Sequence, residues 1–220
     1  MVYKRSGLME RRLADNRQRI LKAARRLVGS EGFRGAPVAA VAAAAGVSTG
    51  LIYRHFPSKA ELFVEVLDAA IAAEIAILQD IAAGPQPVAE RLGLAVASFV
   101  RRALAGPALA WAFIAEPVDA EVDAARIRGR RRFGAVFKAL LDEGVAAGAF
   151  PAQDTEVAAA CLVGAFTEAL VGPTAPQWQR RGDPEILVGA IRATCLRLAG
   201  AADEAAVREG ARAVPAAGQG

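Results

Sequence analysis

The sequence predicts an all-α protein, a small basic head followed by a longer acidic helical body. Three observations carry that prediction. Apolar residues make up 54% of the 220-residue chain. Much of that is alanine, the best helix former, while aromatics reach only 6% and β-branched runs are scarce. Apolar positions also recur near i, i+3, i+4 and i+7 along most of the chain, the spacing of one helix face. Finally, charge divides the molecule. Residues 1–64 hold 12 Lys/Arg against 4 Asp/Glu, a net +8, and residues 65–220 hold 15 against 19, a net −4. A polyanion-binding module joined to a non-binding body has this asymmetry, and so does a solvated basic surface with no partner.

Residues 1–9 lack periodicity and are expected to form a flexible basic arm carrying Lys4 and Arg5. From about Glu10 to Ser30, Leu13, Ile20, Ala23, Ala24, Leu27 and Val28 mark an amphipathic helix with an arginine-rich outer face, and Gly32 is placed to end it. Pro37, a residue tolerated at helix starts, precedes a short helix over Val38 to Ala45. Gly46 terminates that helix and Ser48 caps the next, Thr49 to His55. Pro57 stops continuation, and Ser58 with Glu61 forms the capping box of a long helix reaching about Ala83. Beyond Gly84-Pro85, helices are predicted over about 87–105, 108–115, 121–147, 154–172 and 183–200. The breaks are Gly106-Pro107, Pro117, Gly148 to Pro151 and Gly172 to Pro176. A weak helix over 203–213 and a disordered tail over 214–220 complete the reading.

Several function classes are disfavoured. Cys161 and Cys195 are too few for a disulfide scaffold or a cysteine-rich metal site, and both read as buried free thiols. No H-E-x-x-H, C-x-x-C, G-x-S-x-G or Walker-type loop occurs, and His55 is the only histidine. No catalytic residue, metal ligand or cofactor is therefore expected. The basic N-terminus lacks an apolar h-region, and no run reaches about 18 uninterrupted apolar residues, the nearest, Leu92 to Ala115, being broken by Arg101, Arg102 and Gly106-Pro107. A cytoplasmic protein is expected.

Two short helices joined at Gly46 fit a helix-turn-helix, in which the second helix enters the major groove. The residues sharpen the match. Ile20-Leu21-Lys22-Ala23-Ala24, then Gly32-Phe33, then Ala45-Gly46-Val47-Ser48-Thr49-Gly50-Leu51-Ile52-Tyr53-Arg54-His55-Phe56-Pro57-Ser58-Lys59 and Leu62 closely resemble the N-terminal signature of the tetracycline-repressor family. The resemblance runs from Ile20 to Leu62 with the family's spacing nearly intact. It implies a three-helix DNA-binding domain over 10–57 and a ligand-binding and dimerisation domain over 58–213, connected by the helix over 58–83.

The residues also have a physical reading of their own. Val47, Ile52 and Phe56 are expected to pack with Ile20 and Leu27 and fix the tilt of the short helix. Gly50 has no Cβ, which suits close approach either to DNA or to another helix. By resemblance, Thr49 and Leu51 are the outward positions that meet bases, where their methyl groups suit a thymine methyl. Neither can form a bidentate pair with guanine, so DNA shape is expected to contribute to specificity. Tyr53, His55 and Lys59 match phosphate-holding positions, and Lys59 lies in the first turn of its helix, where free N–H groups favour an anion. Ser48 and Arg34 complete the expected DNA-binding set. One departure from the family lies in the second helix: Ala36 and Pro37 replace the usual cap region, and Ala39, Ala40, Ala43 and Ala44 occupy outward positions that are commonly polar. Arg34, Arg17 and the arm are expected to compensate.

In the body, the resemblance implies an effector site and a twofold four-helix interface made by the helices over 154–172 and 183–200. Trp111, Phe133, Phe137 and Phe166 are the candidate pocket aromatics, with Phe113 and Trp178 as further possibilities, though ordinary core packing explains any one of them equally well. Glu168 stands out because a carboxylate on an apolar helix is costly unless paired, ligand-facing or solvated. The arginines 126, 128, 130, 131 and 132 read as a solvated, salt-bridged face in preference to a receptor for an acidic ligand.

The expected function is a transcriptional regulator, a repressor, that binds a palindromic operator in double-stranded DNA as a homodimer. A small apolar or amphipathic effector releases it. The competing reading is a helical module whose basic head docks an acidic protein. Salt-dependent binding to duplex DNA separates the two.

Overall fold

The computed structural model describes residues 7–177 and 182–201, and every regular element among them is helical. In chain order these are α1 (Gly7–Glu31), α2 (Val38–Ala45), α3 (Thr49–His55), α4 (Lys59–Ala82), α5 (Val88–Ala105), α6 (Pro107–Ile114), α7 (Ala120–Ala146), α8 (Thr155–Thr174) and α9 (Pro184–Leu198). α1 begins at Gly7, inside the segment expected to be an arm, and residues 1–6, with Lys4 and Arg5, lie outside the described residues. The helix expected over 203–213, the tail and Trp178 lie outside them too.

The head is α1 to α3. Ile20, Ala24 and Val28 of α1 meet Val41, Ile52 and Phe56, all at or near zero exposure. Burying a side chain such as Ile52 or Phe56 stabilises by about 1.5–3 kcal/mol, enough to fix so small a unit. The turn between α2 and α3 needs glycine: Gly46 sits at φ 64°, and its N–H closes onto Ala43 O at 3.2 Å. Arg19 braces the same corner from α1, donating to Ala45 O at 2.6 Å.

α4 joins head to body. Ser58 caps it by accepting the Glu61 N–H at 3.0 Å. Its inner face, including Leu62, Val66, Ala70 and Leu78, is buried at helical spacing. α7 comes close because Gly129 leaves room, and a Cβ there would lie 2.4 Å from Ile71 Cδ1. At the far end Arg91 donates to Ala82 O, to Gln86 O at 2.8 Å, and to the Glu143 carboxylate. This side chain ties the end of α4 to α5 and α7.

The Gly106-Pro107 break bends α5 against α6 by 110°. α8 runs to Thr174, through the expected break at Gly172. Pro173 removes only one donor from the last turn, and the Thr174 hydroxyl donates back to Leu170 O at 2.7 Å. By length and composition α8 could cross a membrane, but it packs against α6, α7 and α9 with Leu162, Val163, Phe166 and Leu170 buried.

Candidate nucleic-acid interface and effector cavity

α3 is held from behind and bare in front. Ile52 anchors it, and Ser48 Oγ accepts the Leu51 N–H at 3.2 Å, which fixes the first turn. Ser48, Thr49 and Gly50 are exposed, Leu51 is half-buried, and Tyr53 is 48% exposed. Nothing among the described residues would lie within 4 Å of a Cβ at Gly50, so no helix packs there.

The remaining positive groups divide by role. Lys59 lies 5.2 Å over the Phe63 ring and shares a cleft with exposed Arg34, placing two cations together at the start of α4. His55 sits three residues after buried Ile52, on the same helix face. It therefore turns toward Leu13 and Ala14 of α1, with Nε2 enclosed and without a partner among the described residues. Arg17, expected to reach DNA, is engaged within the protein, paired with Glu65 and lying 5.1 Å over the Phe56 ring. On α2 only alanine methyls face outward: Ala39, Ala43 and Ala44 are exposed.

The body holds a cavity of about 140 Å³ between α4, α5, α6, α7 and α8. Phe133 and Phe166 line it as the sequence suggested, together with Phe99 and Phe113. Phe99 meets Phe133 edge-to-face at 5.5 Å and Phe166 at a tilt at 5.1 Å, so the three rings form one aromatic wall. The other expected pocket residues lie elsewhere. Phe137 is fully buried 5.4 Å behind Phe166, outside the lining. Trp111 faces a separate cleft near Gly32 and Pro173, because residues two apart on α6 cannot share the face that Phe113 turns to the cavity. Glu168 is exposed, one step around α8 from Thr167, which does line the cavity.

The arginine run is not one solvated face. Arg128 and Arg131 are exposed, and Arg132 lies 3.7 Å from Asp68. Arg126 is only 7% exposed, lines the cavity, and donates through Nη2 to Ala112 O. Its burial pushes the guanidinium pKa down, an effect that the Asp123 and Glu116 charges oppose. Arg25 and Arg102 also line the cavity, with Arg102 paired to Glu74 at 2.7 Å. No sequence motif marks these partners; only the packing of distant helices unites them. Glu116 escaped notice for the same reason: it is buried between body and head and accepts the Arg34 N–H at 3.0 Å.

Residues 20–66 match the family model for bacterial regulatory proteins of the tetR family, and residues 85–170 match that for the tetracyclin repressor-like C-terminal domain. The chain belongs to the tetR family. No curated protein matches it in direct sequence comparison. Among solved structures, the fatty acid degradation regulator FadR from Bacillus halodurans superposes with a TM-score of 0.70 at 21% identity, covering 81% of this chain and 97% of that one. The regulator RolR in complex with resorcinol gives 0.69 at 20% identity, covering 95% and 100%. A TetR/AcrR-family regulator from Thermobifida fusca gives 0.64 at 23%, covering 83% and 97%. At these identities the likeness is one of fold.

This tetR-family regulator has one more surface of note. On α8, Val157, Ala160, Cys161, Gly164 and Glu168 are exposed along a single stripe, and on α9 so are Ile186, Gly189, Ala190, Thr194 and Leu198. Ile186 is 71% exposed and Val157 57%. Cys161 thus lies outward, not in the core as expected, while Cys195 is buried.

Proposed function

We propose that this tetR-family protein is a ligand-responsive repressor that binds a palindromic DNA operator as a homodimer. The observation that carries the reading is the bare outer face of α3, held by its Ser48 cap on the basic head. In this reading Thr49, Gly50 and Leu51 meet base edges, while Ser48, Tyr53, Arg34 and Lys59 hold phosphates. His55 supports α3 from behind. The apolar stripes of α8 and α9 pair with those of a second copy, burying Val157 and Ile186 and setting the two α3 helices about 34–36 Å apart, one DNA turn.

The effector occupies the cavity walled by Phe99, Phe113, Phe133 and Phe166. RolR has been seen with resorcinol and the FadR of Bacillus subtilis with stearoyl-CoA, so structural neighbours of this chain take small-molecule ligands in complexes. An effector that prefers one arrangement of α4 by about 1–3 kcal/mol is sufficient to weaken operator binding measurably. The proposal is tested by selecting genomic DNA fragments with the purified protein. Recovery of a shared inverted repeat, bound less tightly as salt rises, is the expected result. Binding without sequence preference overturns it.

A further inference from the structure

The chemistry of the cavity narrows what fills it, an inference that rests on the effector-cavity reading above. Its volume, about 140 Å³, is close to the ~150 Å³ of an apolar cavity that admits a benzene ring. Four phenylalanines line it, together with the aliphatic side chains of Leu67, Ile71 and Leu109. One flat apolar ring matches such a lining.

The polar side of the cavity is unbalanced. Arg126 is nine-tenths buried, and only one bond is made by its side chain, from Nη2 to Ala112 O. Its Nε–H is enclosed with no acceptor among the described residues, and Nη1, the end of the fork left to meet a ligand, has only Asp123 at 3.9 Å, beyond hydrogen-bond length. Arg25 and Arg130 border the same space. The one carboxylate lining the cavity, Glu74, is already held by Arg102. A buried cation with a free donor is costly until an acceptor, best an anion, arrives. We infer that the cavity takes a monocyclic aromatic acid, its ring among the four phenylalanines and its carboxylate on Arg126.

The test uses the full chain and three probes: benzoate, benzyl alcohol as the neutral ring, and octanoate as the unringed acid. Calorimetric titration is expected to give benzoate at least about tenfold tighter binding than benzyl alcohol, because one hydrogen bond becomes charge-assisted. Benzoate is also expected to exceed octanoate. Arg126→Gln removes the preference for benzoate over benzyl alcohol, and Arg126→Lys retains most of it. Equal binding of the two rings by the natural protein overturns the assignment, and that comparison stands even where Arg126→Gln does not fold. Tighter binding of octanoate, or no binding of any probe, also overturns it. Val163→Trp, which fills the cavity, separates the two layers. Benzoate binding that survives this change lies outside the cavity and removes the effector-cavity reading itself. Ring binding that Val163→Trp abolishes but Arg126→Gln leaves unchanged keeps the cavity and removes only the acid.

Discussion

The Glu116 carboxylate accepts the backbone N–H of Phe33 at 2.8 Å, joining the loop before α7 to the turn that follows α1. The same residue lies within electrostatic reach of Arg126 on the cavity wall. Glu116 is therefore one buried link between head and cavity, beside the contact of Phe33 with the cavity-lining Phe113, whose ring centroids lie 5.9 Å apart.

Replacing Glu116 by Ala leaves the Phe33 N–H buried without a partner, which costs about 1–3 kcal/mol. Thermal unfolding is expected to show that loss, and Glu116→Gln, which keeps one acceptor oxygen, a smaller one. Operator titrations with and without effector are expected to show weaker release in both variants. Undiminished release in a folded Glu116→Ala protein would remove the linkage.

Tyr53→Ala is expected to weaken DNA binding and lower the slope of log affinity against log salt by about one, with the melting temperature nearly unchanged. Its side chain is half exposed and makes no hydrogen bond among the described residues. Phe56→Ala, three positions along, empties a fully buried site and destabilises by about 3–5 kcal/mol. A Tyr53→Ala protein that melts as early as Phe56→Ala would place Tyr53 in the core.

The two thiols report on folding and on assembly. Burial pushes the Cys195 thiol up to about 11, so it is expected to resist maleimide at neutral pH until the protein unfolds. Cys161 is exposed on α8. In a dimer closed through that stripe it becomes protected, and dilution toward monomer restores its reaction. Fast labelling of Cys161 at every concentration would move the dimer contact elsewhere.

The Arg91–Glu143 pair gives a predicted pH dependence. Hydrogen bonding from Arg91 holds the Glu143 carboxyl below its ordinary value. A depressed folded-state pKa adds stability above the unfolded carboxyl pKa and loses it as pH falls through the lower, folded value. Melting curves collected from neutral to acidic pH should therefore fall less steeply for Glu143→Gln than for the natural protein. Because Glu143 is half exposed, solvent screening keeps the difference small. Parallel curves would show that the pair contributes nothing.

Much of this architecture was legible from local signals. Ser48, Ser58, Gly46 and the Gly106-Pro107 pair act within a few residues of themselves, and the observed ends of α2 and α3 coincide with those the sequence predicts. The cavity was less legible. Phe133 and Phe166 announce themselves as aromatics in apolar helices, but whether Trp111 or Phe113 faces inward depends on how α6 rotates after a 110° bend. That rotation is set by tertiary packing. Arg126 illustrates the same limit: among five closely spaced arginines, only the tertiary fold, which brings Ala112 O to Arg126, decides which one is buried.

The clasp made by Arg91 has a mechanical corollary. Because it fastens the last turn of α4 to α5 and α7, the reorientation of that 24-residue rod proposed above would pivot near Ala82. Over a lever of roughly 36 Å, a tilt of about 5° carries the opposite tip some ~3 Å. The largest travel would therefore fall beside Lys59 and α3, so a displacement slight at the hinge would arrive at the far tip magnified.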